Sequence, residues 1–559
     1  MSRSRRVLIV AMATVIVATA APPKVSAATT VVRIPIPADE GTLTPYTFQL
    51  AYPLVTLIYD TLYWRDIDGV PRPWLARSAT VSPDGRDVTV VLANGVRWQD
   101  GEPLTADDVA FTFRYVASHP HPRFTPELSA VQSVSSPDAS TIIIHLRQPS
   151  PGFTDQPLAD LPILPAHLWG KLAASQTAPA GLPVGSGPYR LVDYTPGVGY
   201  RLDANADYFR GRPVVDTIDV PIVADASATL DAIRAGRVDV VPEPLPAPAE
   251  ADLVGSATAI ARGPSYLGTV LLFNLRQAPF DQPAVRVAIS QALDLERIAA
   301  SVGNAVPANR GLVHPASPWA STEPLHQADV SAARRQLAQI HLSPVDVSVA
   351  DNDPVGIDAA QQVVLALQGV GVRASVRSMT IDALTSALSG SATTPPTFAM
   401  AITTTPPLAS FDPDFLVHLF GSQHASAPLN TSGYQSAAFD QVATRVATSQ
   451  DLTARHSATE EELRLLATDL PVVPLFFANG DFAYRPTAYR GWQFVKGTGI
   501  FDKLSFLSPS APAVTNPASN GGGTDGGGLP LGWIAAILLT IAVSIALSTL
   551  VRSWIWRTG

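Results

Sequence analysis

Short apolar runs alternate with amphipathic stretches through the middle of the chain. The run Val88–Leu92 is followed by Asn94-Gly95, a dipeptide typical of tight turns, and it is therefore predicted to be a strand. Further strands are predicted at Ile142–Ile144, Thr269–Phe273 and Val472–Phe477. Strands that alternate with amphipathic helices predict a mixed α/β protein.

Three amphipathic helices are predicted between these strands. Thr105, with Asp108 three positions later, approximates a capping box and marks the start of the first helix. Asp281 with Pro283 marks the start of the second helix, and the third helix covers Ala458–Thr468.

The first 27 residues differ from this body. The basic segment Arg3–Arg6 precedes an uncharged run, Val7–Ala21, and the small residues Val25–Ala27 follow. This order is typical of a secretory signal peptide, which we therefore predict at residues 1–27. An uncleaved N-terminal anchor is the alternative.

The C-terminal segment has the character of a membrane span. Leu529–Val551 is a run of 23 residues without a charge, long enough to cross a hydrocarbon core of about 30 Å. We predict a flexible Pro/Gly/Ser linker at 508–528, a transmembrane helix at 529–551 and a cytoplasmic tail at 552–559. The predicted location is the cell membrane, single-pass, with the body on the extracytoplasmic side. A buried core helix is the alternative for residues 529–551.

Composition narrows the function classes. The 559 residues are about four times a typical domain length, so more than one folding unit is expected. The net charge is −9, and six of the basic residues lie in the two end segments, so the body has no basic excess with which to bind nucleic acid. The absence of cysteine excludes disulfides, Cys-ligated zinc and thiol catalysis.

Catalytic motifs are missing from the sequence. It contains no G-x-S-x-G, H-E-x-x-H, Walker or G-x-G-x-x-G pattern. The two G-x-G segments, at 185–187 and 497–499, are interpreted as turns, and His119-Pro120-His121 as a solvated loop. We therefore predict no enzyme, no cofactor and no metal, although carboxylates could still form an acid/base pair in space.

Seven sequence blocks follow one another through residues 31–507. The most specific is the first, LANGVRWQDGEPLTADDVAF, at Leu92–Phe111, in which Trp98 is interpreted as a core residue. The other blocks are Gly185–Leu191, Asn205–Phe209, Ala232–Asp239, Phe273–Asp294, Phe411–Phe415 and Asp469–Leu475. In this order they resemble the extracellular solute-binding proteins of the peptide/nickel class that feed ABC importers.

The resemblance implies a two-lobed, periplasmic-binding-protein-like α/β fold with an extra subdomain, to which the sequence adds one C-terminal transmembrane helix. The implied limits are 28–52, 183–266 and 475–507 for lobe I, 53–182 for its extra subdomain, and 267–474 for lobe II. A ligand is expected between the lobes, where lobe closure buries it.

One segment departs from the family pattern. Peptide-binding members usually carry an acidic residue shortly before the Asp-Pro of the block at Phe411–Phe415, and its carboxylate pairs with the peptide ammonium. Residues 401–410 contain no acid and offer the hydroxyls of Thr403–Thr405 instead. A free-amine dipeptide is therefore in doubt, while longer or blocked peptides, sugars and lipidic metabolites stay open.

The predicted function is a membrane-tethered solute-binding protein. It is expected to deliver an oligopeptide or related solute to ABC permease and ATPase subunits by cleft binding and lobe closure, with no cofactor and no nucleic acid. A solute sensor or surface scaffold of the same fold is the alternative, and a secreted hydrolase is disfavoured by the missing motifs. The predicted ligand-contacting residues are Tyr46, Phe48, Tyr52, Tyr266, Asn274, Thr403, Thr404, Phe411 and Asp412.

Overall fold

The computed structural model describes residues 30–508, except 49–50, 174–175, 246, 254–256, 341, 390–394 and 425–428. The chain divides into two units, residues 1–509 and 510–559, and all described residues belong to the first unit. The predicted signal peptide (1–27), transmembrane helix (529–551) and tail (552–559) lie outside the described residues, as does the predicted linker beyond Ser508.

The described residues contain sixteen strands and fourteen α-helices. The strands are β1 (Val31–Arg33), β2 (Tyr63–Arg65), β3 (Pro71–Pro73), β4 (Ala76–Val81), β5 (Asp87–Leu92), β6 (Val131–Asp138), β7 (Thr141–Leu146), β8 (Tyr189–Thr195), β9 (Gly199–Ala204), β10 (Thr217–Pro221), β11 (Ala259–Phe273), β12 (Ala305–Pro307), β13 (Val345–Ala350), β14 (Ala374–Met379), β15 (Met400–Thr405) and β16 (Val472–Tyr484). The helices are α1 (Tyr52–Ile58), α2 (Ala106–Ser118), α3 (Ala166–Trp169), α4 (Ala226–Arg234), α5 (Ala247–Asp252), α6 (Pro283–Gln291), α7 (Leu295–Val302), α8 (Val330–Gln339), α9 (Pro354–Gly369), α10 (Ile381–Ser389), α11 (Leu408–Phe411), α12 (Leu416–Phe420), α13 (Ala437–Thr448) and α14 (Leu452–Asp469).

Local patterns determine many of these elements. The predicted capping box is present at α2, where Thr105 and Asp108 satisfy each other's backbone amides. Buried and half-buried residues alternate along β5 and β7, as the period of a strand requires. The predicted strands and helices are confirmed, although α6 takes Gln282 as its N-cap, one residue after Asp281, and both β11 and β16 extend beyond their apolar runs.

Three sheets organise the molecule. The first lobe contains the sheet β1-β10-β9-β8, and a subdomain contains the antiparallel sheet β4-β5-β7-β6. The second lobe contains the six-stranded sheet β12-β16-β11-β15-β13-β14. The predicted two-lobed α/β fold is thus confirmed, and the residue limits given above for its parts stay predictions.

The sheet of the second lobe is buried on both faces. Leu271 and Phe273 pack into one hydrophobic cluster, and the alternating residues Val270 and Leu272 pack into another. Because neighbouring side chains of a strand point to opposite faces, an almost continuous apolar run is needed to bury both. This explains why the stretch Thr269–Phe273 is recognisable in the sequence.

Two long strands run from the first lobe into the second. β11 and β16 pair antiparallel over Ala259–Pro264 on the first-lobe side, and again over Gly268–Leu272 on the second-lobe side. The pairing register shifts between Pro264 and Gly268, so the ladder is interrupted where the chain passes between the lobes.

The predicted fold class is corrected in one respect. Of the helices in the described residues, none has the length and apolar character that a membrane crossing requires. The longest, α14, has 18 residues and carries Glu460, Glu461 and Glu462, which are costly in hydrocarbon. The fold that the described residues support is therefore the two-lobed α/β body.

Candidate functional site

The passage of β11 between the lobes brings three residues of distant sequence together. The rings of Tyr266, on β11, and Phe411, at the end of α11, lie 5.2 Å apart between centroids. Gly497 packs between them, because a Cβ atom there would lie 2.6 Å from both rings. A glycine is required at this position by space as well as by its φ of +90°.

Arg65, at the end of β2, connects this contact to the subdomain. Its guanidinium carbon lies 4.3 Å from the centroid of the Phe411 ring, a cation–π contact. The same guanidinium donates to the carbonyl oxygen of Asp155 at 3.1 Å and lies 3.6 Å from the Asp155 carboxylate. The subdomain and the second lobe therefore meet at Arg65.

A buried ion cluster continues the site into the second lobe. Arg455, on α14, donates to both carboxylate oxygens of Asp412, at 2.6 and 3.0 Å, and lies 3.2 Å from Asp414. Asp412 and Arg455 are only 3% and 4% exposed. Breaking this ion pair would leave a buried charge without compensation. The pair therefore holds the segment that contains Asp412 and Asp414 against α14.

Two carboxyl groups at this contact have raised pKa values. Burial raises the pKa of Asp155 to about 7; Arg65 opposes this shift, and the carboxylate of Asp412 adds to it. Burial also raises the pKa of Asp414 to about 7, with Asp412 adding and Arg455 opposing. The contact between the subdomain and the second lobe thus contains groups that titrate near neutral pH.

A cavity of about 320 Å³ lies between the subdomain and the second lobe. It is lined from the subdomain by residues of the stretch 127–156 and from the second lobe by residues of the stretch 412–447. Its charged lining residues are Glu127, Arg147, Asp412 and Asp414. Two further cavities, of about 250 and 420 Å³, are lined only by residues from 287 to 474, within the second lobe. The first is therefore the candidate ligand site.

The arrangement is suited to enclosing a solute. In the described part of the chain, no three His, Asp or Glu side chains converge in a way that could hold a metal ion. Aromatic faces, paired charges and a cavity between two bodies can bind and orient a ligand without making or breaking a bond.

The predicted first-lobe site residues form an aromatic cluster with the subdomain. Tyr46 donates to the carbonyl oxygen of His119 at 2.9 Å, and Phe48 packs on Tyr52 with 5.6 Å between ring centroids. The Tyr52 hydroxyl donates to the carbonyl oxygen of Asp160. All three residues pack against the hydrophobic core of the subdomain.

The predicted residues of the crossing between the lobes and of the second lobe are spread along the site. Tyr266 and Phe411 are in contact, whereas the carboxylate of Asp412 is occupied by Arg455. Asn274 is fully buried and donates to the carbonyl oxygen of Phe398 at 3.0 Å. On β15, Thr403 is half-buried, and Thr404 is exposed and pairs with Thr269, next to the register shift.

Sequence reasoning missed four residues that the structure brings to the site. Arg65, Asp155, Glu127 and Gln156 lie outside the recognised blocks and have no diagnostic spacing. Their proximity to the Asp412–Asp414 segment arises from contacts across more than 200 residues of sequence. Asp414, in contrast, belongs to a recognised block and could have been named from it.

Comparison with known proteins supplies the family. Residues 70–427, more than half of the chain, match the family model described as bacterial extracellular solute-binding proteins, family 5 Middle. Protein XP55 from Streptomyces lividans is 32% identical over 293 residues, which cover 51% of this chain and 53% of XP55. Oligopeptide-binding protein AppA from Bacillus subtilis is 28% identical over 236 residues, which cover 41% of this chain and 43% of AppA. The chain thus spans about half the length of the curated relatives it matches.

Solved structures share the fold over a longer stretch. AppA from Bacillus subtilis in complex with a nonapeptide has a TM-score of 0.75 at 20% identity, covering 86% of this chain and 99% of AppA. The ABC transporter substrate-binding protein CtaP from Listeria monocytogenes has a TM-score of 0.73 at 24% identity, with coverages of 86% and 99%. At these identities the likeness shows the fold.

Proposed function

Since the chain belongs to the bacterial extracellular solute-binding proteins of family 5, we propose that it binds an oligopeptide or a related solute between its lobes and delivers it to an ABC importer. The family consists of solute-binding proteins and not of enzymes, and its members act outside the cytoplasm. Binding and lobe closure, with no bond made or broken, would then be the mechanism.

The observation that carries the proposal is the cavity between the subdomain and the second lobe. Residues from both bodies line it, so a solute held there would contact both at once. Closure around a ligand is favoured when the closed state makes contacts that the open state lacks. The interrupted ladder of β11 and β16, between Pro264 and Gly268, is a suitable hinge, since few backbone hydrogen bonds resist bending there.

The names of the relatives support a peptide as the solute. AppA is an oligopeptide-binding protein, and one of its structures contains a nonapeptide. In this chain, residues 401–410 carry no acidic side chain, so a peptide ammonium would need another partner. We therefore favour a longer peptide, held through several contacts, over a dipeptide held through its ends.

Of the predicted site residues, Asp412 lines the cavity, and further ligand contacts are proposed beside the hinge, outside this lining, at Tyr266, Phe411, Thr403 and Thr404. The rings of Tyr266 and Phe411 pack on each other at the hinge and are only 3% and 8% exposed, so a ligand would reach them when the lobes separate. Thr404 is exposed beside the hinge and could donate a hydrogen bond to a ligand carbonyl. Tyr46, Phe48 and Tyr52 stay weaker candidates, because their rings already pack on the subdomain.

Native mass spectrometry of the purified full chain tests this function. We expect gentle unfolding to release a mixture of peptides carried from the host. If nothing is released, and a peptide library leaves the melting temperature unchanged, the proposal is wrong and a sensor or scaffold is favoured.

The threonine segment is tested by a matched pair of variants. Thr404→Trp places a bulky ring beside the hinge and is expected to weaken peptide binding by about tenfold or more, without unfolding the protein. Thr80→Trp, at an exposed position on β4, serves as the control and should bind normally. Equal affinity of the two variants would remove Thr404 from the site.

A further inference from the structure

We propose that the cavity between the subdomain and the second lobe binds a positively charged organic group, an ammonium or guanidinium, carried by the solute. The inference rests on the proposed function and specifies the chemistry of its ligand. It also offers a replacement for the acid that is missing from residues 401–410.

The first observation is a buried carboxyl group that lines the cavity and accepts no hydrogen bond. Glu127 is 6% exposed, and within the described residues neither of its carboxylate oxygens has a hydrogen-bond partner. Arg123, which acts electrostatically on Glu127, donates its hydrogen bonds to both carboxylate oxygens of Asp160, at 2.8 and 2.7 Å. A buried carboxylate without a partner is costly, and a ligand cation would remove that cost.

The electrostatics around Glu127 favour a cation in the same way. Burial raises the pKa of Glu127 well above its usual range, and the Asp160 carboxylate adds to the shift. Arg123 and Arg65 oppose this shift without cancelling it, so the ionised form of Glu127 is disfavoured when no cation lies beside it. A cation bound beside the carboxylate would offset the burial and the repulsion together.

The second observation comes from the opposite wall. Asp412 and Asp414 both lie beside Arg455. The two hydrogen bonds that this guanidinium donates to carboxylate oxygens both go to Asp412. Oδ1 of Asp414 is buried and lies 3.2 Å from the Arg455 guanidinium, but it accepts no hydrogen bond among the described residues. The cavity is thus lined from both bodies by a carboxylate with unused acceptor capacity.

The basic side chains that line the cavity do not neutralise its carboxyl groups. The one arginine or lysine among the lining residues, Arg147, donates to the backbone carbonyl oxygens of Ser129 and Val131, and His418 also lines the cavity. Of the three carboxyl groups on the lining, those of Asp412 and Asp414 share Arg455, whereas Glu127 forms no ion pair among the described residues and supplies the acidic excess. The cavity has an acidic excess.

An organic cation fits this cavity better than a metal ion. No group of three His, Asp or Glu side chains in the described part of the chain converges as a metal site requires. A volume of about 320 Å³ accommodates a side chain of arginine size. The buried amide nitrogen of Gln156 also lacks a partner within the described ranges and could donate to a ligand carbonyl. A cation attached to a chain with carbonyl groups describes a basic peptide.

Three synthetic pentapeptides test the inference on the full chain by calorimetry. The first has blocked ends and a central arginine, and the second replaces this arginine by the neutral isostere citrulline. The third contains citrulline but has a free N-terminus, so that its charge is an ammonium. We expect at least one charged peptide to bind about tenfold more tightly than the neutral one, as a charge-assisted hydrogen bond allows. The charged peptide that binds more tightly than the neutral one shows whether the cavity prefers a guanidinium or an ammonium group.

Two variants assign the preference to the cavity. Glu127→Gln and Asp414→Asn should each remove most of the tenfold preference for the charged peptide, and an unchanged far-ultraviolet circular dichroism spectrum shows that each variant folds. Glu102→Gln, at an exposed position of the same subdomain, should keep the preference.

The failures of the two proposals are distinguishable. If all three peptides bind equally, or if the charge preference survives in both cavity variants, this inference is wrong and the proposed function stands. If no peptide binds, the proposed function is wrong, and this inference fails with it.

Discussion

Buried charges in this protein lie beside opposite charge and aromatic faces. Lys503 and Asp60 are fully buried and 2.7 Å apart, and the lysine nitrogen lies 4.1 Å from the centroid of the Trp64 ring. Tyr208 and Trp74 donate further hydrogen bonds to the same carboxylate. Because a buried ion must replace its lost hydration, each of these contacts lowers the cost of burial.

His314 is a buried titratable group without such compensation. It is 3% exposed, and its ring lies 5.0 Å from that of Tyr266 and 4.9 Å from that of Phe477. Its Nδ1 accepts a hydrogen bond from the backbone N–H of Ala316, and its Nε2 has no partner within the described residues. Burial, assisted by Lys496, lowers the pKa of His314 to about 4.

Replacing His314 should therefore change how stability depends on pH. The pKa of His314 is about 4 in the folded protein and about 6.5 in the unfolded chain. As the pH falls from about 6.5 to about 4, the unfolded chain binds a proton that the folded protein does not, so the free energy of unfolding decreases. Urea unfolding should show that, between about pH 7 and pH 4, the free energy of unfolding of the wild type falls by up to about 3 kcal/mol more than that of His314→Asn. A stability difference between the two proteins that does not change with pH would contradict this.

At the scale of elements, hydrogen bonds and steric contacts connect the lobes without a continuous sheet. The ladder of β11 and β16 is interrupted after Pro264. The loop containing Gly497 bridges the interruption: the N–H of Gly497 donates to the carbonyl oxygen of Pro264, and its own carbonyl oxygen accepts from Tyr266. The hinge is thus supported by a short loop that leaves no room for a side chain.

Gly497→Ala tests the tightness of this packing. The added methyl group would meet Tyr266 and Phe411, and alanine also tolerates the left-handed backbone poorly. Gly95→Ala is the matched control, since Gly95 has a φ of +72° and nothing within 4 Å of its Cβ position. We expect Gly497→Ala to cost about 1–2 kcal/mol more than the control in chemical unfolding. Equal losses would show that the loop yields to the methyl group without cost.

At the scale of the whole molecule, the contact between the subdomain and the second lobe concentrates acidic groups. Asp155 belongs to one side, Asp412 and Asp414 to the other, with Arg65 and Arg455 between them. A Cβ atom on Gly152 would lie 2.8 Å from Asp414, so backbone and carboxylate are in direct contact. Protonation of these carboxyl groups is therefore coupled to the approach of the two bodies.

Lobe closure should depend on pH through this contact. The raised pKa of Asp155, about 7, means that the closed contact holds a proton that a solvated carboxyl group would release. Raising the pH through about 7 should favour separation of the subdomain from the second lobe. If one proton is released, the equilibrium constant for this separation rises by at most about tenfold per pH unit. Small-angle scattering between about pH 6 and pH 8 should show the radius of gyration increase in the wild type and less so in Asp155→Asn. Asp107→Asn, at an exposed position on α2, is the control. A pH response of Asp155→Asn equal to that of the wild type would exclude this role for Asp155.

The sequence by itself determined the family, the two-lobed α/β fold and many local elements, among them the capping box of α2 and the doubly buried run in β11. Caps, turns and periodicity act over a few residues, so they can be read without knowing the fold. The same local reasoning predicted a transmembrane helix that the described structure does not support.

Only the tertiary structure decided which residues meet at the site. It pairs Asp412 with Arg455, 43 positions away, and brings Arg65 of a short hairpin onto Phe411. It also buries Glu127 at the cavity, although nothing in the neighbouring sequence distinguishes this glutamate from an exposed one. Long-range contacts depend on how the sheets and the hinge pack, and that information is distributed over the whole chain and not contained in any one segment.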